Sequence, residues 1–295
     1  MSAVAARLRG RERRAGAFRG GPALWLGAGV IAAFALVALA APALRPYGVH
    51  AIAGDQLSAP SRAHLLGTNA VGQDLLSQML SGTRSSLLVA LLAGGGTLLV
   101  GTLVGAVAGW LGGLTDALLM RVVDVFLVVP RIPLVIVIAA YAGSSLATVS
   151  AIIALTSWPA GARVVRSQVL SLRGRAHLRA AVGFGARTLY VLRRHVVPEL
   201  GLILAAGFVA AAERAIVLEA GLAFLGLGDP TRKSWGSIMR DALDFEFLFF
   251  TDAWAWWLLS PVAALAALLL GLAFVGVGLE SHISPRVARH AGGAA

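Results

Sequence analysis

Between Arg163 and Arg194 the chain carries eight arginines (163, 166, 173, 175, 179, 187, 193 and 194), and no acid follows until Glu199. Apolar runs long enough to fill a bilayer lie on both sides of this stretch. A charged side chain at mid-depth in hydrocarbon costs roughly 2.5–3.5 kcal/mol on insertion scales, so the arginines cannot sit there. The stretch 163–199 is therefore predicted to be a cytoplasmic loop between two spans, too long and too patterned for a plain connector. Gly183 and Gly185 each lower helix propensity by about 1 kcal/mol, which predicts two short helices, over 176–182 and 187–195, with a bend between them. Small Ala180 and Ala181 let the first helix approach a partner closely. Pro198 opens the next span, where its missing N–H costs nothing. The stretch reads as a docking surface for another protein; the plainer alternative is a loop that only fixes topology.

Composition closes off soluble folds. Of 295 residues, 58% are hydrophobic and 13% charged, and the mean hydropathy is +0.81, which describes a polytopic membrane protein. A net charge of +11 could otherwise point to nucleic acid. The arginines cluster at the N-terminus and in one loop between apolar runs, however, and that is a topology signal. The absence of cysteine removes disulfides, thiol nucleophiles and thiolate metal sites.

Taken in order, the pattern predicts an all-α polytopic membrane protein of six transmembrane helices with both ends in the cytoplasm. Residues 1–22 form a basic cytoplasmic tail, and the first span covers 23–44. Ala38-Leu39-Ala40 resembles a signal-peptidase site, but the apolar run before it exceeds the 7–15 residues of a signal core, so a retained anchor is expected. Residues 45–85 are polar and external. Within them Leu75, Leu76, Met79 and Leu80 share one face of a helix over 74–81, placed on the membrane surface or against the other spans.

Five further spans fill the membrane core, 86–278. The second, 87–110, is about 36 Å long as a helix; Gly101, Gly105, Gly109 and Gly113 recur every fourth residue, a flat ridge for packing inside one subunit. The third, 116–141, is kinked by Pro130 and Pro133. Arg131 between them either lines a translocation path or neutralises a buried acid. The fourth is 147–165. The fifth, 201–223, carries Glu213, Arg214 and, nearer the outer interface, Glu219. At least one of Glu213 and Arg214 is expected to face a translocation cavity, the alternative being a polar contact to another subunit. A net acidic external segment, 229–253, precedes the last span, 254–278, whose Trp254, Trp256 and Trp257 read as an aromatic belt. Residues 279–295 return to the cytoplasm.

Several short motifs are more specific. Arg179-Ala180-Ala181, then Gly185 and Pro198, fall at the spacing of the ATPase-binding loop of binding-protein-dependent ABC importers. There the pattern is Glu-Ala-Ala, a Gly four residues after the second Ala, and a Pro thirteen later. Leu66-Gly67-Thr68-Asn69 with Gly72-Gln73-Asp74, Phe224-Leu225-Gly226-Leu227-Gly228, Ser234-Trp235-Gly236 and Pro285-Arg286 likewise resemble the second, C-type permease of dipeptide and oligopeptide importers. The resemblance covers about residues 23–287, with the motifs in the family's order. Arg179 departs from it, standing where Glu is usual and reversing the charge at the ATPase contact. Asn69 and Gln73 depart as well, where Asp and Arg are common.

The resemblance implies a type I ABC importer permease fold in the cytoplasmic (inner) membrane, embedded in the lipid bilayer. It implies a second homologous permease subunit, two ATP-binding subunits or a fused pair, and an extracytoplasmic solute-binding protein, with no nucleic acid. Arg179, Ala180, Ala181, Gly183, Gly185, His195 and Pro198 would form the ATPase-coupling loop, and Phe224, Gly226 and Gly228 an external gate segment. No cofactor would be held by this chain; ATP and Mg would be bound by the partner ATPases. The cargo would be di- or oligopeptides, although related permeases also carry nickel chelates or glutathione.

A phosphate loop needs G-x-x-x-x-G-K-[ST], and the only lysine, Lys233, follows Arg232. The six histidines show no metal-ligand spacing, and no catalytic set suggests a membrane-embedded enzyme. The rival reading is an ion- or proton-coupled secondary carrier that uses Glu213, Arg214 and Arg131 as gating charges and needs no ATPase.

Overall fold

The computed structural model describes residues 21–283, with side chains to residue 280; the basic stretch of the N-terminal tail and the Pro285-Arg286 motif lie outside the described residues. The regular structure described is helical, apart from two isolated bridges, Ile52 with Gln73 and Thr68 with Asp74. Five helices are long and apolar enough to cross a membrane, and a bent pair makes a sixth if counted as one span. In chain order the helices are α1 (Pro22–Leu44), α2 (Leu75–Leu111), the bent pair α3 (Gly113–Val128) and α4 (Arg131–Ala142), and α5 (Leu146–Arg173). After them come α6 (Ala176–Gly183), α7 (the helical turns of 188–199), α8 (Gly201–Phe224), α9 (Trp235–Leu243) and α10 (Leu259–Ile283).

The helix expected over 74–81 is no separate surface element. It forms the first turns of α2, and the external segment gives way to helix at Leu75 rather than after 85. Asp74 caps it, accepting the Ser77 amide at 2.8 Å, while His64 Nδ1 lies 3.0 Å from its other oxygen. The 37 residues of α2 reach about 55 Å at 1.5 Å per residue, against a hydrocarbon core of about 30 Å. Part of α2 therefore exceeds that thickness, and its polar first turns, with Ser77, Gln78, Thr83 and Arg84, are the part suited by composition to stand clear of it. A π turn at Ala90–Gly94 interrupts α2 where it meets α8: a side chain at Gly94 would start 2.9 Å from the Ala212 Cα.

Three of the four ridge glycines are spent within the subunit; a Cβ on Gly113, at φ +55° past the end of α2, would meet nothing within 4 Å. Added Cβ atoms at Gly101, Gly105 and Gly109 would fall 3.0, 2.4 and 2.9 Å from the carbonyl oxygens of Trp158, Ala162 and Arg166 on α5. Both periods are four, so α2 and α5 run side by side, backbone against backbone. Larger residues would force the pair apart.

The third span is two helices bent by 86° rather than one kinked helix. A residue before proline avoids the helical region, and Val129 is extended. The helix restarts at Arg131, where Pro133 in the first turn sacrifices no hydrogen bond. Further on, α5 runs to Arg173 instead of ending near 165, so three of the loop's arginines belong to a span. Arg166 pairs through two nitrogens with Asp116 of α3, at 2.5 and 2.6 Å, and Arg163 with Asp124 at 2.5 Å.

Nor do the three tryptophans form a belt. Trp257 is buried, Trp256 donates its indole N–H to the Thr68 carbonyl at 3.4 Å, and only Trp254 is exposed, at 40%. The folded external segment covers the other two. The last helix continues through residue 278 to Ile283 and packs along α1.

Candidate functional site

The elbow, at the end expected to face the cytoplasm, comprises α6, α7 and the bend between them, close to the helices predicted over 176–182 and 187–195. Gly185, at φ +82°, makes the bend, while Gly183 ends α6. The Gly185 amide donates to the Val182 carbonyl at 2.9 Å and the Ala186 amide to Ala181 at 3.1 Å, the paired bonds that close a helix through one left-handed residue. The spacing of Ala181 and Gly185 is thus the spacing of a helix stop. Pro198 lies within α7, just after a π turn at Leu192–Val196. A proline ring collides with the carbonyl four residues back, here Arg194, and the widened turn makes room.

Two attachments hold the elbow to the spans. Leu178 is fully buried among Trp110, Val169, Leu172, Val191, Val196 and Leu200, which contributes about 2 kcal/mol. Glu199, at the foot of α8, meets Arg175 at 2.5 Å and His177 at 2.8 Å, stapling the start of α6 to the next span. Sequence reasoning did not assign this clamp, although its signal was there: Glu199 is the first acid after eight arginines.

The remaining surface is uncovered. Phe184 is 93% exposed, and Val182, Leu189 and Tyr190 are also open. Ala180 is exposed and Ala181 half-buried. His195 packs edge-on against Tyr190 at 5.7 Å. Arg179 rims a cleft of about 310 Å³ with Trp110, Arg173 and Thr188, and no ion pair engages Arg179, Arg187, Arg193 or Arg194 among the described residues.

A cavity of about 390 Å³ lies between α2, α5 and α8, with Thr97, Thr102, Ser157, Gln168, Arg214 and, from α10, Glu280 supplying polar groups. Arg214 reaches it; Glu213 and Arg131 do not line it. Arg131 does not neutralise a buried acid, since it forms no ion pair among the described residues and its Nε is buried without a hydrogen bond. It stands within electrostatic reach of Arg214, as does Glu213. Glu219, expected near the outer interface, is 6% exposed, beside Ser85, Asp229 and Ser234.

At the outer end, Phe224 closes α8 and Gly226, at φ +83°, repeats the helix stop. The Gly226 amide donates to Ala223 at 3.0 Å and Leu227 to Leu222 at 2.8 Å. Gly228 backs onto Ala223. Trp235 is buried against Gly82 and meets Phe34 edge-on at 5.7 Å. Burial alone pushes the Asp229 carboxyl up, yet hydrogen bonds from Thr231 and the Leu146 amide, with the Arg232 charge, hold it below the usual carboxylate range. In the external segment, Asn69 Nδ2 donates to Gln73 Oε1 at 3.0 Å. The two external departures from the resembled motif therefore face one another, a neutral pair where opposite charges are common.

Comparison with known proteins decides the family. Residues 101–289 match the family described as binding-protein-dependent transport system inner membrane component. The chain belongs to that family. A putative peptide permease protein of Brucella suis is 37% identical over 230 residues, 78% of this chain and 75% of that one. The oligopeptide transport system permease protein OppC of Bacillus subtilis is 32% identical over 77% of this chain and 73% of its own length. The dipeptide transport system permease protein DppC of the same organism is 30% identical over 86% and 79%. Members of this family are multi-pass components of the cytoplasmic membrane, and ATP hydrolysis lies in separate subunits. The chain is thus a permease component and not itself an enzyme; ATPase and binding-protein partners follow from the family, and nothing favours a self-sufficient carrier.

Proposed function

We propose that the chain is one of two permease subunits of an importer for di- or oligopeptides, with the elbow as its grip on a pair of ATPases. The carrying observation is the pairing of attachment and exposure at α6. One side is fixed to the spans by Leu178 and Glu199; the other presents Phe184 and Arg179, which no ion pair engages among the described residues. Such a helix can be pushed from outside and pass the displacement to α2, α5 and α8. ATP and Mg sit in the partner ATPases. Their closure moves α6, the spans change from inward- to outward-open, and solute descends past Arg214.

Uptake by the reconstituted complex tests this. In Gly185→Pro, proline cannot adopt positive φ and lacks the N–H bonded to Val182, so uptake falls to background. Membrane insertion persists, because the bend lies outside the hydrocarbon. Normal uptake by that variant, or uptake by the isolated chain without ATPases, refutes the coupling role.

A further inference from the structure

Above the membrane, the end of α1, the outer turns of α2 and the loop after α8 enclose a second hollow, of about 510 Å³. Arg45, Arg84 and Arg232 enter it from those three elements, joined by His50, and no acid lines it. Two cations of the neighbouring segment are matched, Lys233 with Asp241 and Arg240 with Asp244. None of the three hollow arginines forms an ion pair among the described residues. The nearest counter-charge, Asp229, acts on Arg232 through space, but its oxygens are committed to Thr231 and to the Leu146 amide. Like charges brought into one hollow repel, and all three arginines are exposed.

We infer that this hollow receives carboxylate side chains protruding from the external solute-binding protein when that protein docks. The inference rests on the importer reading above. A guanidinium matches a carboxylate in a two-bond fork, and an uncompensated cationic hollow steers an acidic partner toward it. The solute itself fits less well. A free peptide at neutral pH carries an ammonium group as well as a carboxylate, and the lining offers the former no acidic acceptor. The position agrees: Arg84 lies on the part of α2 suited by composition to stand clear of the hydrocarbon, beside the Ser85 hydroxyl that ties this helix to the Lys233 carbonyl at 3.0 Å.

The test uses the complete transporter in nanodiscs and its binding protein, with affinity followed by interferometry. Arg84→Glu combined with Arg232→Glu should weaken docking about tenfold at physiological salt, and the deficit should shrink at high salt as screening removes the wild-type advantage. A triple Arg→Gln variant at 45, 84 and 232 should show a smaller loss of the same kind. Unchanged ATPase activity without binding protein certifies assembly. Equal affinities in wild type and variants overturn the inference. So does a variant that docks normally but loses a labelled dipeptide, which would make the hollow a solute site. A deficit that vanishes in nanodiscs of purely zwitterionic lipid also overturns it, in favour of anionic headgroups. If the wild-type complex itself shows no stimulation by any binding protein, the importer reading fails instead.

Discussion

The chain stops a helix twice with the same device, at Gly185 on the side expected to be inner and at Gly226 on the side expected to be outer. Both glycines hold φ near +80°, at +82° and +83°, and both sit between the same two reverse hydrogen bonds. Their surroundings differ. Nothing lies within 4 Å of a Cβ placed on Gly185, whereas one on Gly226 would meet the Arg240 guanidinium at 2.4 Å. Leu225, just before the outer stop, is 59% exposed against 93% for Phe184 just before the inner one, while Leu222 one turn back is buried. The outer stop is keyed into α9 of its own chain; the inner one offers its flank to something else. One local conformation thus serves a lock at one end of the molecule and a handle at the other.

Substitutions should separate the two ends. The largest effect on stability is expected at Gly236, next to the buried Trp235, where a Cβ would fall 2.2 Å from the Ala220 carbonyl of α8. Gly236→Ala should cost about 3 kcal/mol through overpacking, read as a lower melting temperature in detergent and reduced assembly. Gly185→Ala faces only the left-handed strain of about 1 kcal/mol, so it should assemble normally. Equal melting shifts for the two variants would erase the contrast.

Glu199→Gln comes next. It removes two partly exposed contacts, and pairs of this kind are worth about 0–1 kcal/mol, so the melting temperature should hardly move. Uptake driven by ATP should still fall several-fold, since α6 is no longer stapled to α8; unchanged uptake would make the clamp decorative. The smallest effect is expected from Arg179→Glu. It leaves the fold untouched and should lower stimulated ATPase activity about two- to fivefold, as one charged contact of about 0.5–1 kcal/mol is reversed. A gain in coupling would mean that the partner surface is not acidic.

Much of this architecture was legible beforehand, and the errors have physical causes. Apolar length located the spans, and two glycines with a proline located the elbow, because these signals are local. The start of α2 was misplaced because Ser77, Gln78, Thr83 and Arg84 look like loop chemistry. Their setting is supplied by a folded external segment that no periodicity reveals. Pro130 announced a bend, but its 86° depends on what α4 packs against. Trp256 and Trp257 read as belt residues until the external segment closed over them. Arg163 and Arg166 counted among the loop arginines, yet their partners Asp124 and Asp116 lie 39 and 50 residues away, and Arg166 is helical only because α5 runs past its expected end. Glu199 was passed over for the same reason: its partners lie more than twenty residues away along the chain.

The length of α2 has one more consequence. Its first turn is pinned by His64 and Asp74 within the external fold, and its final turn delivers Trp110 to the pocket that grips Leu178. A single rod therefore spans from doorstep to engine mount, and tilting either tip must be felt at the other unless the π turn at Ala90–Gly94 flexes like a wrist.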